Sequence, residues 1–357
     1  MNKYKTITIK ELDKKFITQW QKLWERAENA NIFNSYEWFL MYKEAYKIKE
    51  YEIYACFEDE KLIAVLAVVS SKRFGIPVFS PIGETVEPSF LIEYYEKKLF
   101  KHFFSNIIKK KNLYLVKVDE KAVVLLKAIF PQMFFPLMSA NPYILIGEDP
   151  FRLMSKSNHK NLKKVLRRNA DELRFELYDD TSDLNKYLQM MFSIEGKSAK
   201  KLRSMDIFSK QENREFFENI VKHCRKFVRI GVLYYQDTPI AYQFGLQYKD
   251  IFLAHQTAYL FEYRKFDPGK TMLARLLQQL VGSSVTLFDL GGGMSMYKRE
   301  FTPEYHFLYD LYYSRNILFV LWWKSINEVR RIKQILFPIK NTRDHEFLFT
   351  QKFSSEQ

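Results

Sequence analysis

Residues 251–301 read IFLAHQTAY (251–259), LFEYRKFDPGK (260–270), TMLARLLQQLV (271–281) and SSVTLFDLGGGMSMYKREF (283–301). The first piece has the length and apolar content of a strand, and the leucines of the third recur at helical spacing. Pro268-Gly269 halts the chain just ahead of that helix, where proline suits the first turn. A second strand, a triple-glycine turn at 291–293 and the pair Tyr297-Lys298 follow. A helix start that carries small residues is a ready site for a phosphate, because unbonded amides and the helix dipole both point at the ligand. Glycines after the next strand let a ligand approach the backbone closely. Upstream, 227–235 and 240–248 read as strands joined to each other by QDTP and to 251–259 by KD. The three make an antiparallel meander, not the βαβ unit of a dinucleotide site.

Further upstream, SKSNHKNLKKVLRRNADELRF (155–175) puts Lys156, Lys160, Lys163, Lys164, Arg167 and Arg168 on one side of a helix over 156–170. Leu162, Val165, Leu166 and Leu173 fall on the other side. Such a stripe holds a phosphate-linked substrate, tracks nucleic acid, or is simply a solvated face. No aromatic residue sits on it, which argues against stacking of single-stranded bases. NPYILIGEDPFRL (141–153), with two prolines and a glycine, marks the best boundary, giving domains over 1–148 and 149–357.

The first domain reads as a helix over 11–29, a second helix capped by Asn34 or Ser35, and strands at 51–57 and 62–69 joined by the turn EDEK. A loop and edge strand at 74–81, helices at 91–110 and 121–130, and strands at 113–118 and 143–146 complete it. GIPVFSPIG (75–83) offers no glycine-rich phosphate cradle, so this half is expected to lack an active site. The second domain adds a strand at 173–178, a helix at 184–194, a helix at 216–224, a strand at 305–313 and a helix at 317–336. The fold class expected is α+β, with two side-by-side domains of mixed, mostly antiparallel sheet flanked by helices.

A chain of 357 residues exceeds one ordinary core, and 47% hydrophobic content excludes wholesale disorder. Cys56 and Cys224 form no CxxC, and the six histidines show no metal-ligand spacing, so neither a disulfide framework nor a metal site is expected. The N-terminus has no signal-peptide core, and the apolar run 317–323 falls short of the roughly 18 residues a membrane span needs. A soluble, cytoplasmic protein is expected. The net charge of +14 favours phosphate-bearing partners, or serves solubility alone.

TAYLFEYRKFDPG (257–269), FDLGGGMSMYK (288–298) and REF (299–301) resemble the GNAT acyltransferase superfamily, specifically its CelD-like branch related to the FemABX peptidyltransferases. The basic helix and EGKS (195–198) are similar to segments of the same group. The likeness is clear over about 150–305; before it, only SYEW (35–38) and the element order match. The resemblance implies tandem GNAT-like domains and acyl-coenzyme A, acetyl-coenzyme A above all, as co-substrate without a metal. It implies a carrier site at Pro268, Gly269, Lys270 and Thr271, Tyr297 as proton donor to the leaving thiolate, and Lys298 as stabiliser of the oxyanion. Relatives carry acidic residues just before the Tyr-Lys pair, where this chain has Met294, Ser295 and Met296. Glu195, His255 and Asp289 are then the candidate bases, although His255 equally suits a core and Asp289 a cap on the glycine turn. Lys160, Lys164, Arg167, His255, Gly292 and Gly293 are the candidate substrate contacts.

The function expected is transfer of an acyl group from acyl-coenzyme A to an amine of a small molecule or of a cell-envelope or polysaccharide precursor. The rivals are an aminoacyl-tRNA-dependent transferase, and an inactive basic module that binds RNA or an anionic membrane surface, aided by FVLWWKSINEVRRIKQILF (319–337).

Overall fold

The computed structural model describes residues 3–73, 75–82, 87–202, 205–293 and 295–336. In chain order the elements are β1 (Tyr4–Ile9), α1 (Lys14–Arg26), α2 (Tyr36–Ala45), β2 (Glu52–Glu58), β3 (Lys61–Arg73), β4 (Ile76–Pro81), β5 (Leu91–Ile92), α3 (Lys97–Ile108), β6 (Leu113–Asp119), α4 (Glu120–Ile129) and β7 (Leu137–Leu145). There follow α5 (Lys156–Arg168), β8 (Leu173–Tyr178), α6 (Leu184–Glu195), α7 (Ala199–Leu202), α8 (Gln211–His223), β9 (Val228–Tyr235), β10 (Thr238–Tyr248) and β11 (Ile251–Tyr259). Last come α9 (Pro268–Leu280), β12 (Leu287–Asp289), α10 (Met296–Phe301), β13 (Tyr305–Tyr313) and α11 (Ile317–Leu336). Among the described residues no helix is long and apolar enough to cross a membrane.

Two compact units result, one of Met1–Ala140 with the chain from Phe307 onward, the other of Asn141–His306. The first has the strand order β1-β2-β3-β4-β6-β13, with β4 and β6 parallel at Phe79↔Leu113 and the other neighbours antiparallel. Helices α1, α2 and α4 start where side chains cap them: Asp13 accepts from the Phe16 amide, Ser35 from Trp38 and Asp119 from Ala122. Its core is aromatic, with Phe90, Phe100, Phe103 and Phe104 fully buried. The second unit has the order β8-β9-β10-β11-β12-β7, antiparallel except between β11 and β12.

The α+β class and the two mostly antiparallel layers agree with tandem GNAT-like domains. The boundary differs from the one expected at 148/149, because the closing strands are exchanged. The last strand, β13, completes the first sheet by pairing with β6 (Leu308↔Asp119 to Tyr313↔Leu113). The C-terminal part of β7 completes the second by pairing with β12 (Tyr143↔Asp289 to Leu145↔Leu287). Two local expectations also change. The strand expected at an edge is β4 (Ile76–Pro81) and is internal; the edge belongs to β1, whose Thr-Ile alternation is itself a strand pattern. The polar, basic stretch after EGKS, whose composition suggests a loop, instead forms the short helix α7, and residues 203–204 lie outside the described residues.

Candidate active site

The second sheet opens at one place. β11 and β12 pair in parallel only from Ile251↔Leu287 to Leu253↔Asp289. There β12 ends, whereas β11 runs on to Tyr259, so the two strands part. A cavity of 510 Å³ lies at this divergence. Ala254, Thr257, Ala258 and Tyr259 line it from β11, Leu290 and Tyr297 from the segment after β12, and Pro268, Gly269 and Lys270 from the start of α9. Ser198, Ala199, Lys200 and Gln243 line it too.

The glycine turn is built tightly against β11. Gly291 has φ +73°, and a Cβ there would sit 2.9 Å from the Ala254 carbonyl oxygen, so a side chain is excluded twice over. The Gly291 amide donates to Asp289 Oδ1 (2.6 Å), and Lys298 Nζ donates to the carbonyls of Gly291 (3.1 Å) and Gly292 (2.9 Å). Asp289 is buried, and that burial raises its carboxyl above the usual range, opposed by His306, whose Nε2 lies 3.5 Å from Oδ2. Asp289 and Lys298 therefore brace the turn from either side. Tyr297 leaves the turn on α10 and lines the cavity; partial burial raises its phenol above the ordinary 10.0, so it keeps a proton to give at neutral pH.

At the start of α9, Asp267 takes left-handed backbone angles (φ 50°, ψ 53°) and Pro268 occupies the first turn. The Thr271 amide donates to Asp267 O at 3.0 Å, leaving the Gly269 and Lys270 amides ahead of that bond. A Cβ on Gly269 would find only the Tyr259 ring, at 4.0 Å. Lys270 Nζ pairs with Glu300 Oε2 at 2.6 Å, and Arg168 pairs with Asp267 at 3.0 Å.

Glu195, at the end of α6, is fully buried. Its carboxylate accepts from the Tyr242 hydroxyl, from Gln256 Nε2 (3.0 and 2.9 Å) and from the Ile207 amide (3.2 Å), and Lys200 Nζ lies 3.5 Å away. Sequence reasoning found Glu195 but missed Lys200, Tyr242 and Gln256. For Tyr242 and Gln256 the available signal was a polar group inside a central strand, β10 or β11, which demands a partner when buried.

A parted pair of strands, a proline-glycine helix start and a tyrosine share one cavity, and residues 156–299 match the family model of an acetyltransferase (GNAT) domain. The second unit carries a GNAT domain. Among solved structures the chain is similar to FemX (TM-score 0.62, 11% identity, 87% of this chain and 98% of that one). It is similar also to a conserved protein of unknown function from Bacteroides thetaiotaomicron (0.55, 12%, 84% and 97%). A third is the C-terminal domain of a putative lysylphosphatidylglycerol synthetase from Agrobacterium fabrum (0.51, 10%, 74% and 85%). At these identities the likeness is one of fold. No curated protein sequence matches the chain significantly.

Several expected site residues fall elsewhere in the GNAT domain. Thr271 is buried; its hydroxyl donates to the Phe266 carbonyl (3.2 Å) and accepts from Asn169 Nδ2 (3.3 Å), so it holds the loop together and is not among the cavity-lining residues. His255 is the extra residue of a bulge, between Ala254↔Gly245 and Gln256↔Phe244. It packs against the Phe217 and Phe244 rings, and burial lowers its imidazole to about 4, which makes it a neutral core residue away from the cavity. Lys160, Lys164 and Arg167 are exposed on the outer face of α5, along a separate depression shared with Lys156 and Lys163. Gly292 and Gly293 belong to the turn; neither lines the cavity, and Met294 lies outside the described residues.

Proposed function

We propose that the GNAT domain transfers an acyl group from acyl-coenzyme A to an amine of a small molecule or of a cell-envelope or polysaccharide precursor. The parting of β11 from β12 over a cavity that also receives the α9 start and Tyr297 carries this reading. A carrier's pyrophosphate would take the Gly269 and Lys270 amides, with Lys270 exchanging Glu300 for phosphate. The amide-bearing arm of the carrier matches the unpaired edge that β11 offers beyond Leu253. The acceptor nitrogen attacks the thioester carbonyl; the C–N bond forms, the C–S bond breaks, and the thiolate takes the Tyr297 proton. Lys298, bonded to two turn carbonyls, acts in this arrangement by positioning Tyr297. The first unit is proposed to have no catalytic role.

An aminoacyl-tRNA donor is the second reading, supported by the exposed cationic face of α5, which the Arg168–Asp267 ion pair ties to the α9 start. Calorimetry separates the two. Acetyl-coenzyme A is expected to bind saturably, about tenfold more weakly to Lys270→Glu, since one phosphate-directed cation is replaced by an anion. No binding of any acyl-coenzyme A, together with salt-sensitive binding of tRNA, sinks the first reading.

A further inference from the structure

Acyl transfer to an amine needs a destination for the proton of the incoming ammonium, and Tyr297, a neutral phenol, cannot supply one. Of the other ionisable groups lining the cavity, Tyr259 is a second phenol, Asp267 is held by Arg168 at 3.0 Å and Lys270 by Glu300 at 2.6 Å. Arg264 stays protonated whatever its surroundings. Glu195 is fully buried, takes three other donors and is not itself a lining residue, so an acceptor in the cavity does not reach it. Lys200 remains. Its side chain is 31% exposed, it lines the cavity, and its Nζ is 3.5 Å from Glu195 Oε2.

Resting on the acyltransferase reading, we propose that Lys200 is the catalytic base, that Glu195 is the positioning residue that holds it, and that the acceptor is a strongly basic primary alkylamine. Neutral Lys200 takes a proton from the acceptor R–NH3⁺, giving R–NH2 and a Lys200 ammonium paired with the Glu195 carboxylate. The freed lone pair forms the C–N bond as the C–S bond breaks. The proton that the new amide nitrogen sheds replaces the one Tyr297 gives to the thiolate. The groups that act on Lys200 are Glu195 on α6, with Tyr242 of β10 bonded behind it, and Asp206 in the segment before α8. Burial lowers the Lys200 amine from its ordinary 10.5, while the Glu195 and Asp206 carboxylates pull the other way. Substrates that displace water from the cavity add to the lowering. A hydroxyl or a weakly basic amine would arrive already uncharged and need no such base.

Two measurements test this on the full chain. Reductive ¹³C-methylation with NMR titration, Lys200 being assigned by its loss in Lys200→Arg, is expected to show Lys200 titrating below the surface lysines, and lower still in Glu195→Gln. Titration together with the surface lysines overturns the proposal. Acetyl-coenzyme A is then offered with two nucleophile probes at about pH 7: ethanolamine, cationic there, and methoxyamine, neutral there. Lys200→Met is expected to slow transfer to ethanolamine by about 100-fold, the range a general base contributes, and to leave transfer to methoxyamine nearly unchanged. Equal losses with both probes would mean that Lys200 only holds α7 in place, and would overturn the assignment. Absence of acetyl-coenzyme A binding to the wild type instead strikes the donor reading, while the titration still decides whether Lys200 is the base.

Discussion

The two units share a strand–helix–strand step and fill it differently. In the first, β4 and β6 run parallel with α3 between them in sequence, and α3 brings Phe100, Phe103 and Phe104 to a core that also holds Phe79 and Phe90. In the second, β11 and β12 run parallel with α9 between them, and the residues at the divergence include the small Ala254, Ala258 and Gly269. The helix α9 contributes leucines and no aromatic ring. A shared architecture therefore does not carry chemistry by itself. Small side chains leave room for a ligand in one unit, whereas large rings turn the equivalent step of the other into packed core.

Converting the second unit toward the first is the strongest way to break this contrast. Gly269→Leu is expected to abolish acetyl-coenzyme A binding with little change in Tm, since the new side chain enters open space from an unstrained backbone; calorimetry paired with a thermal melt checks both. Tyr297→Phe is expected to lower kcat by about 10³-fold while KM for the donor holds, in line with loss of a proton donor. Unchanged turnover in a working assay would remove Tyr297 from the mechanism. In the first unit, Phe100→Ala is expected to cost about 3–5 kcal/mol of stability by denaturant unfolding and to leave acetyl-coenzyme A affinity alone.

The smallest effect expected is acid sensitivity at His255. Its folded-state value of about 4 lies below the ordinary 6.5, so the unfolded chain binds the proton first. Stability from this group is full above 6.5, falls as pH drops toward 4, and loses about 3 kcal/mol in all, at 1.36 kcal/mol per unit. Unfolding free energies measured across that window should flatten in His255→Gln; an unchanged slope would place the acid sensitivity elsewhere.

Much of this was readable locally. The strand over 251–259, the strand over 305–313 and the helix over 317–336 match the structure because periodicity and flanking turns fix each one without reference to distant chain. What pairs with what is not local. Pro77 and Pro81 argued for an edge strand, yet β4 is internal; it touches β6 at a single bridge, Phe79↔Leu113, so little of its ladder on that side needs amides. Pro268, Gly269 and Tyr297, singled out in the sequence, line the cavity, since each carries a backbone or chemical meaning in place. The Glu195 network did not show, because Tyr242, Gln256 and Lys200 meet only once three separate elements pack. The basic stripe of α5 was legible as a stripe, but its direction relative to the cavity was not.

The exchanged strands bear on how the chain comes to be folded during synthesis. Leu113 finds its partner in Tyr313, so the first sheet keeps an unpaired edge until nearly all the described chain has left the ribosome. The second unit meanwhile has every one of its strands available earlier and is enclosed in sequence by the two parts of the first. Nascent chains stalled before β13 should thus hold a finished second unit while the first sheet still has an unfinished edge, the kind of edge that chaperones shield from pairing with a neighbour.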